Sequence, residues 1–213
     1  MEQRITALQV QENNPQRINV FLDGGYAFGL SRIVAAWLRV GQFLDEEKIS
    51  SLLKADEQEK AFQQALKLLH RRDHTEEEVR KNLYQHHYPE ETIRSVIQRL
   101  QEKGFLNDLH FAENWVENRT TFRPRSKKTL TFELHRHGVD SETILQVTEG
   151  LNEDELAYQA GIKQAHKYDS SDWSVFRKKL AAYLLRRGFN YETVSLVIHR
   201  IWTEINSGDD SHA

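Results

Sequence analysis

Three short echoes constrain this chain more than any other feature. Glu91-Thr92-Ile93, Glu142-Thr143-Ile144 and Glu192-Thr193-Val194 recur at spacings of 51 and 50 residues, and a fixed period of that length marks a repeat architecture. The flanks carry the same register. A leucine stands ten residues before each β-branched anchor (Leu83, Leu134, Leu184), a valine three after it (Val96, Val147, Val197), and Leu100, Leu151 or Ile201 seven after it. Six residues before each anchor, His87, Gly138 and Gly188 fall where a helix ends, and glycine takes the left-handed conformation of such an end without strain. An apolar plug follows (Tyr88, Val139, Phe189), then Pro89, Asp140 or Asn190 as the cap of the next helix. Each unit therefore reads helix, turn, helix. The segments Asp56–Arg71, Asp108–Thr121 and Asn152–Tyr168 supply one further helix apiece.

The expected fold is mainly α: three tandem three-helix repeats in an elongated curved array, preceded by a small N-terminal antiparallel β meander. Ile18, Val20 and Leu22 alternate with Asn19 and Phe21, the period of two of a strand. Asn13-Asn14-Pro15 and Asp23-Gly24 supply the turns on either side. Asp45-Glu46-Glu47 then caps a helix whose face holds Ile49, Leu52 and Leu53, and Thr75-Glu76-Glu77-Glu78 reads as a capping box. The expected segments are residues 1–44 (meander and short helix), 45–106, 107–151 and 152–206 (first, second and third repeats), and 207–213 (disordered tail).

Composition then excludes whole classes. The chain has 213 residues and no cysteine, which removes disulfide scaffolds, Cys-ligated zinc, iron–sulfur clusters and thiol nucleophiles. Its longest tidy apolar run, Ile33 to Leu38, is far short of the ~20 residues needed to cross a bilayer. The Met-Glu-Gln-Arg start shows no apolar leader, so a cytoplasmic protein is expected. Hydrophobic residues are only 38% and charged residues 29%, with a mean hydropathy of −0.69, which suits thin helical layers. Catalytic signatures are missing too: the sequence holds no Gly-x-Ser-x-Gly, no phosphate-cradling Gly-rich loop and no His-Glu-x-x-His. His70 and His74 straddle a helix break and His135 and His137 point apart, so they read as ordinary surface histidines. The pair Asp209-Asp210 and the run Glu76 to Glu78 read as a solvated tail and a helix start. Trp115, Trp173 and Trp202 read as core. No enzyme, cofactor or metal is expected.

Charge is more informative. The whole chain carries a net charge of −3, yet between Arg119 and Arg136 six cations (Arg119, Arg123, Arg125, Lys127, Lys128, Arg136) face one acid, Glu133. Between Arg177 and Arg187 five more (Arg177, Lys178, Lys179, Arg186, Arg187) face none. Both segments feed the middle helix of a repeat, so stacking can align them into a basic stripe suited to a phosphate backbone or an acidic protein groove. The alternative is a set of solvated helix faces neutralised by neighbouring acids.

The residues from Ile5 to Ile205 resemble the RecX family of recombination regulators. The resemblance rests first on Ala65 to Val79 (ALKLLHRRDHTEEEV), followed by Leu83, Ile93, Val96 and Leu100. It continues through Gly104-Phe-Leu-Asn-Asp108, Phe111-Ala112, Trp115 and Arg119, then Glu133-Leu134 with Gly138-Val139. The hairpin Phe21 to Phe28 resembles the N-terminal extension of longer members. Two departures are His87, where a small residue is usual, and Ser126, where glycine is common. The resemblance implies a non-enzymatic helical-repeat protein of DNA repair, homologous recombination and the SOS response. Such a protein binds the RecA recombinase and its single-stranded DNA filament and inhibits or modulates ATPase, strand-exchange and coprotease activities. A monomer with weak or indirect nucleic-acid binding and no membrane association is expected, with the eleven cations above as filament or phosphate contacts. Two other readings stay open: a DNA-binding protein using helix-turn-helix-like units, and a helical scaffold for another protein.

Overall fold

Strands β1 (Gln3–Gln11), β2 (Asn14–Leu22) and β3 (Gly25–Ser31) form the antiparallel meander in a computed structural model that describes residues 2–168 and 172–209. Asp23 and Gly24 both take positive φ (48° and 89°), the pairing that a two-residue hairpin turn requires. The turn between β1 and β2 comes slightly earlier than expected, so that Asn14 and Pro15 open β2. Proline is tolerated there because it sits at a strand start. Residues Phe43–Leu44 add a fourth strand, β4, which pairs with β1 and gives the order β3-β2-β1-β4. Ile5, Val20, Leu22, Leu30 and Leu44 are buried on one face of this sheet. Between β3 and β4 lies the short helix α1 (Arg32–Ala35).

Helix α2 (Glu46–Leu69) starts at Asp45, whose carboxylate accepts the Lys48 amide (2.8 Å), and it runs unbroken for 24 residues. Two cores share it. Ile49 and Leu52 pack against the sheet, while Ala61, Phe62 and Ala65 join the core of α3 (Glu76–Gln85) and α4 (Glu90–Glu102). Leu53, expected on the buried face, is exposed.

Asp56, midway along α2, is 2% exposed and covers the C-terminal end of the β3 edge. Its carboxylate accepts the Ser31 amide (2.5 Å) and pairs with Arg17 (3.1 Å) and Lys60 (2.7 Å). Arg17 also donates to Gly29 O (2.6 Å). An unpaired sheet edge is a template for another strand, and these side chains occupy it at Gly29 and Ser31. Burial pushes the Asp56 carboxyl up, but hydrogen bonds from Lys60, the Ser31 amide and Arg17 outweigh it and hold the group below the usual carboxylate range. A carboxyl depressed in the folded state stabilises the fold above its unfolded pKa, and that stability is lost as pH falls through the folded value. Asp56→Ala is therefore expected to cost about 2–3 kcal/mol at pH 7, below the range for a fully dry pair because Lys60 reaches water. Urea unfolding from pH 7 to pH 3 checks this: the wild-type advantage over Asp56→Ala should shrink below about pH 4, and a constant difference would refute it.

By compactness the chain forms two units, Met1–His74 with Glu78–Leu106, and Thr75–Glu77 with Asn107–Ala213. The second contains α5 (Asp108–Phe122), α6 (Lys127–Arg136), α7 (Ser141–Thr148), α8 (Glu153–Ala165), α9 (Trp173–Arg186) and α10 (Tyr191–Asp209). Repeat anchors are core throughout: Leu83, Leu134, Leu184, Ile93, Ile144 and Val194 are all buried. The three turns share one construction. Tyr88 N donates to Leu83 O, Val139 N to Leu134 O and Phe189 N to Leu184 O, with the preceding residue (His87, Gly138 or Gly188) at φ of 62°, 83° or 91°. This is the hydrogen-bonded left-handed helix end that satisfies otherwise orphaned carbonyls. Asp140 and Asn190 then cap α7 and α10 by accepting the Thr143 and Thr193 amides. Helix α10 continues to Asp209, while residues 210–213, which include Asp210 and most of the expected tail, lie outside the described residues.

Candidate interaction surface

The C-terminal end of α9 meets the N-terminal end of α6. Arg187 O accepts from the Ser126 amide and from Thr129 Oγ1 (both 3.2 Å), and the Arg187 guanidinium donates to Pro124 O (3.1 Å). Ser126 also caps α6, its hydroxyl accepting the Thr129 amide (3.1 Å). Gly188 makes the approach possible, because a Cβ there would lie 2.5 Å from Ser126 Oγ and collide with Thr129. Opposite dipole ends face each other across this joint, a favourable arrangement. The joint brings Arg186 and Arg187 beside the segment from Arg123 to Lys128, so the two basic stretches meet in space.

The eleven cations do not stand alike. Glu133, half-buried on α6, accepts from Arg119 (2.9 Å) and Trp115 Nε1 (2.9 Å) on one oxygen and pairs with Arg125 (3.1 Å) on the other. Arg119 also lies 4.4 Å over the Trp115 ring. Arg187 holds the joint and covers Tyr183 at 4.9 Å. Lys127 reaches Glu149 O (3.5 Å), and its amide donates to Glu153 (2.9 Å). Arg136 and Lys179 sit 5.9 and 5.8 Å over Phe132 and Tyr168, and Arg177 meets Tyr191 Oη at 3.3 Å. Arg123, Lys128, Lys178 and Arg186 are exposed, and no hydrogen bond or ion pair among the described residues engages their side chains.

Lys128, Phe132 and Arg136 follow one another at intervals of four on α6, and Lys178, Ala182 and Arg186 take the equivalent places on α9. Residues four apart share a helix face, so α6 and α9 each present a cationic stripe at the same positions. The first repeat has Glu77, Lys81 and Gln85 there instead. Two exposed aromatics, Phe122 (69%) and Phe132 (61%), accompany the cations. The sequence reading missed both, although the interval of four was available to find Phe132.

His74 departs from the surface placement expected of it. It is 8% exposed, with Nδ1 2.7 Å from the Glu78 carboxylate. His137 packs against Trp115 at 4.4 Å, and Trp115 stacks on Phe111 at 5.8 Å. Trp173 lies against His199 (4.8 Å) and Trp202 (5.0 Å). The three tryptophans thus serve packing, as expected. No helix among the described residues is long and apolar enough to cross a membrane.

Four family models match in register with these elements. "Regulatory protein RecX N-terminal domain" covers residues 3–45, and the first, second and third three-helix domains of RecX cover 61–100, 107–147 and 152–198. The chain is 31% identical to a regulatory protein RecX of Clostridium botulinum over 202 residues, covering 92% of this chain and 94% of that one. It is 30% identical to the Bacillus velezensis protein of the same name, covering 97% and 80%. A crystal structure of a regulatory protein RecX superposes with a TM-score of 0.73 at 24% identity, over 92% of this chain and 98% of the other.

Proposed function

The chain belongs to the RecX family of regulatory proteins, and from that premise we propose that it regulates the RecA recombinase without catalysing a reaction of its own. The observation that carries the mechanism is the pair of matching cationic stripes on α6 and α9, joined at Gly188, on a chain whose total charge is −3. A surface of this kind meets an anionic track locally while the rest of the molecule is repelled by free nucleic acid. The second unit engages the RecA–single-stranded DNA filament through Arg123, Lys128, Lys178 and Arg186. Lys127, Arg136, Arg177 and Lys179 flank them. Arg119, Arg125 and Arg187 act from inside, positioning the helices that carry the others. Bound along the filament as a monomer, the protein limits RecA's ATPase, strand-exchange and coprotease activities.

DNA-dependent ATP hydrolysis by RecA on single-stranded DNA, titrated with this protein, tests the proposal. Inhibition well below one copy per RecA is the expected result. Absence of any effect at excess, with co-sedimentation also negative, would refute it. Tight, salt-steep binding to naked duplex DNA would favour an independent DNA-binding protein instead.

A further inference from the structure

A groove opens between α9 and the start of α10, with a volume of about 590 Å³. Trp173, Ala181, Leu185 and Tyr191 give it an apolar lining, and among the described residues Arg177 and Lys178 are the charged ones that line it. Where the groove has Trp173, Ala181, Ala182, Leu185 and Tyr191, the second repeat has Arg123, Thr131, Phe132, His135 and Ser141, so this lining is peculiar to the third repeat of the two. Leu185 and Tyr191 remain exposed there, at 44% and 64%.

The combination of an apolar lining and two cations selects among partners. A phosphate backbone matches the cations and leaves the lining unused. Base stacking would engage Tyr191, since Trp173 already packs against His199 and Trp202, but it would leave Ala181 and Leu185 unused. A protein segment satisfies both features. We propose that this groove receives an acidic, amphipathic segment of a partner protein, seating one large apolar side chain beside Ala181 and Ala182 while Arg177 and Lys178 pair with its carboxylates. A segment seated in this way places its apolar anchor in the groove and its charges at the rim. The inference rests on the reading of the chain as a regulator acting through protein contact, and names the chemistry of one such contact.

The probe is a fluorescein-labelled twelve-residue peptide of glutamates and aspartates with one central phenylalanine, followed by anisotropy with the full chain. Saturable binding is expected. Ala182→Phe, which fills the groove at a solvent-facing position, should weaken it by about tenfold or more, as should the Arg177→Ala/Lys178→Ala pair and replacement of the peptide's phenylalanine by serine. Circular dichroism of each variant confirms an intact fold. The proposal is overturned if the peptide does not saturate, if Ala182→Phe leaves its affinity unchanged, or if the serine peptide binds equally well. It is also overturned if Ala182→Phe abolishes binding of a twelve-nucleotide oligothymidine and spares the peptide, which would make the groove a nucleic-acid site. RecA inhibition without peptide binding discards the groove and keeps the regulator. Peptide binding without RecA inhibition does the reverse.

Discussion

Gly188→Ala is expected to destabilise the protein by about 3 kcal/mol, combining left-handed backbone strain with an overpacked contact. The backbone there is at φ 91°, and the added methyl group falls on Ser126 and Thr129, whose own hydrogen bonds hold the α9–α6 joint. Neither neighbour is the far end of a flexible side chain, so relief requires moving α6 away from Arg187 O. Urea unfolding followed by circular dichroism reads the loss, with Gly150→Ala as the control, since a Cβ at Gly150 meets nothing within 4 Å. If the two substitutions cost the same, the joint is not the constraint described here. Regulation of RecA should fall with Gly188→Ala even under conditions where the chain stays folded, because the joint that holds the two cationic helices together is disturbed.

Neutralising Arg123, Lys128, Lys178 and Arg186 together should weaken filament binding on the order of a hundredfold at physiological salt, with a flatter salt dependence. The melting temperature should change little, since exposed cations without partners contribute little to stability. Arg125→Ala provides the contrast: it removes one of the partners of a half-buried carboxylate and should lower stability. Co-sedimentation with RecA filaments beside thermal unfolding separates the two effects. Equal loss of binding and stability in the fourfold variant would sink the assignment.

Much of the fold is legible in the sequence because each repeat uses the same positions for the same purpose. Leu83, Leu134 and Leu184 are all fully buried, and the turn before each Glu-Thr echo ends a helix in the left-handed conformation even where the residue is His87. Strand β4 escapes because a two-residue pairing leaves no period to read. The unbroken run of α2 escapes for another reason. Asp56 looks like a helix start, and what neutralises it in mid-helix includes Arg17, 39 residues away. The basic segments were visible as charge, but their sorting was not. Glu133 collects Arg119 and Arg125 from across a turn, and Arg187 is turned inward by a carbonyl 63 residues distant, at Pro124. Composition counts charges, whereas only tertiary contacts decide which of them remain available.

The contact of Asp56 with the end of β3 also has a meaning in time. The meander is complete in sequence by Ser31, yet the carboxylate that takes up the last amide of its edge strand lies 25 residues further along. A chain emerging from the ribosome therefore presents a finished hairpin stack with a bare flank until the middle of α2 has followed it out. Domains form as units in the order they are synthesised, and here the first strands cannot cover that end of their edge on their own. Nascent-chain arrest with the meander outside the ribosome and residue 56 still within it marks the interval in which this end of the edge is bare, and emergence of Asp56 ends it.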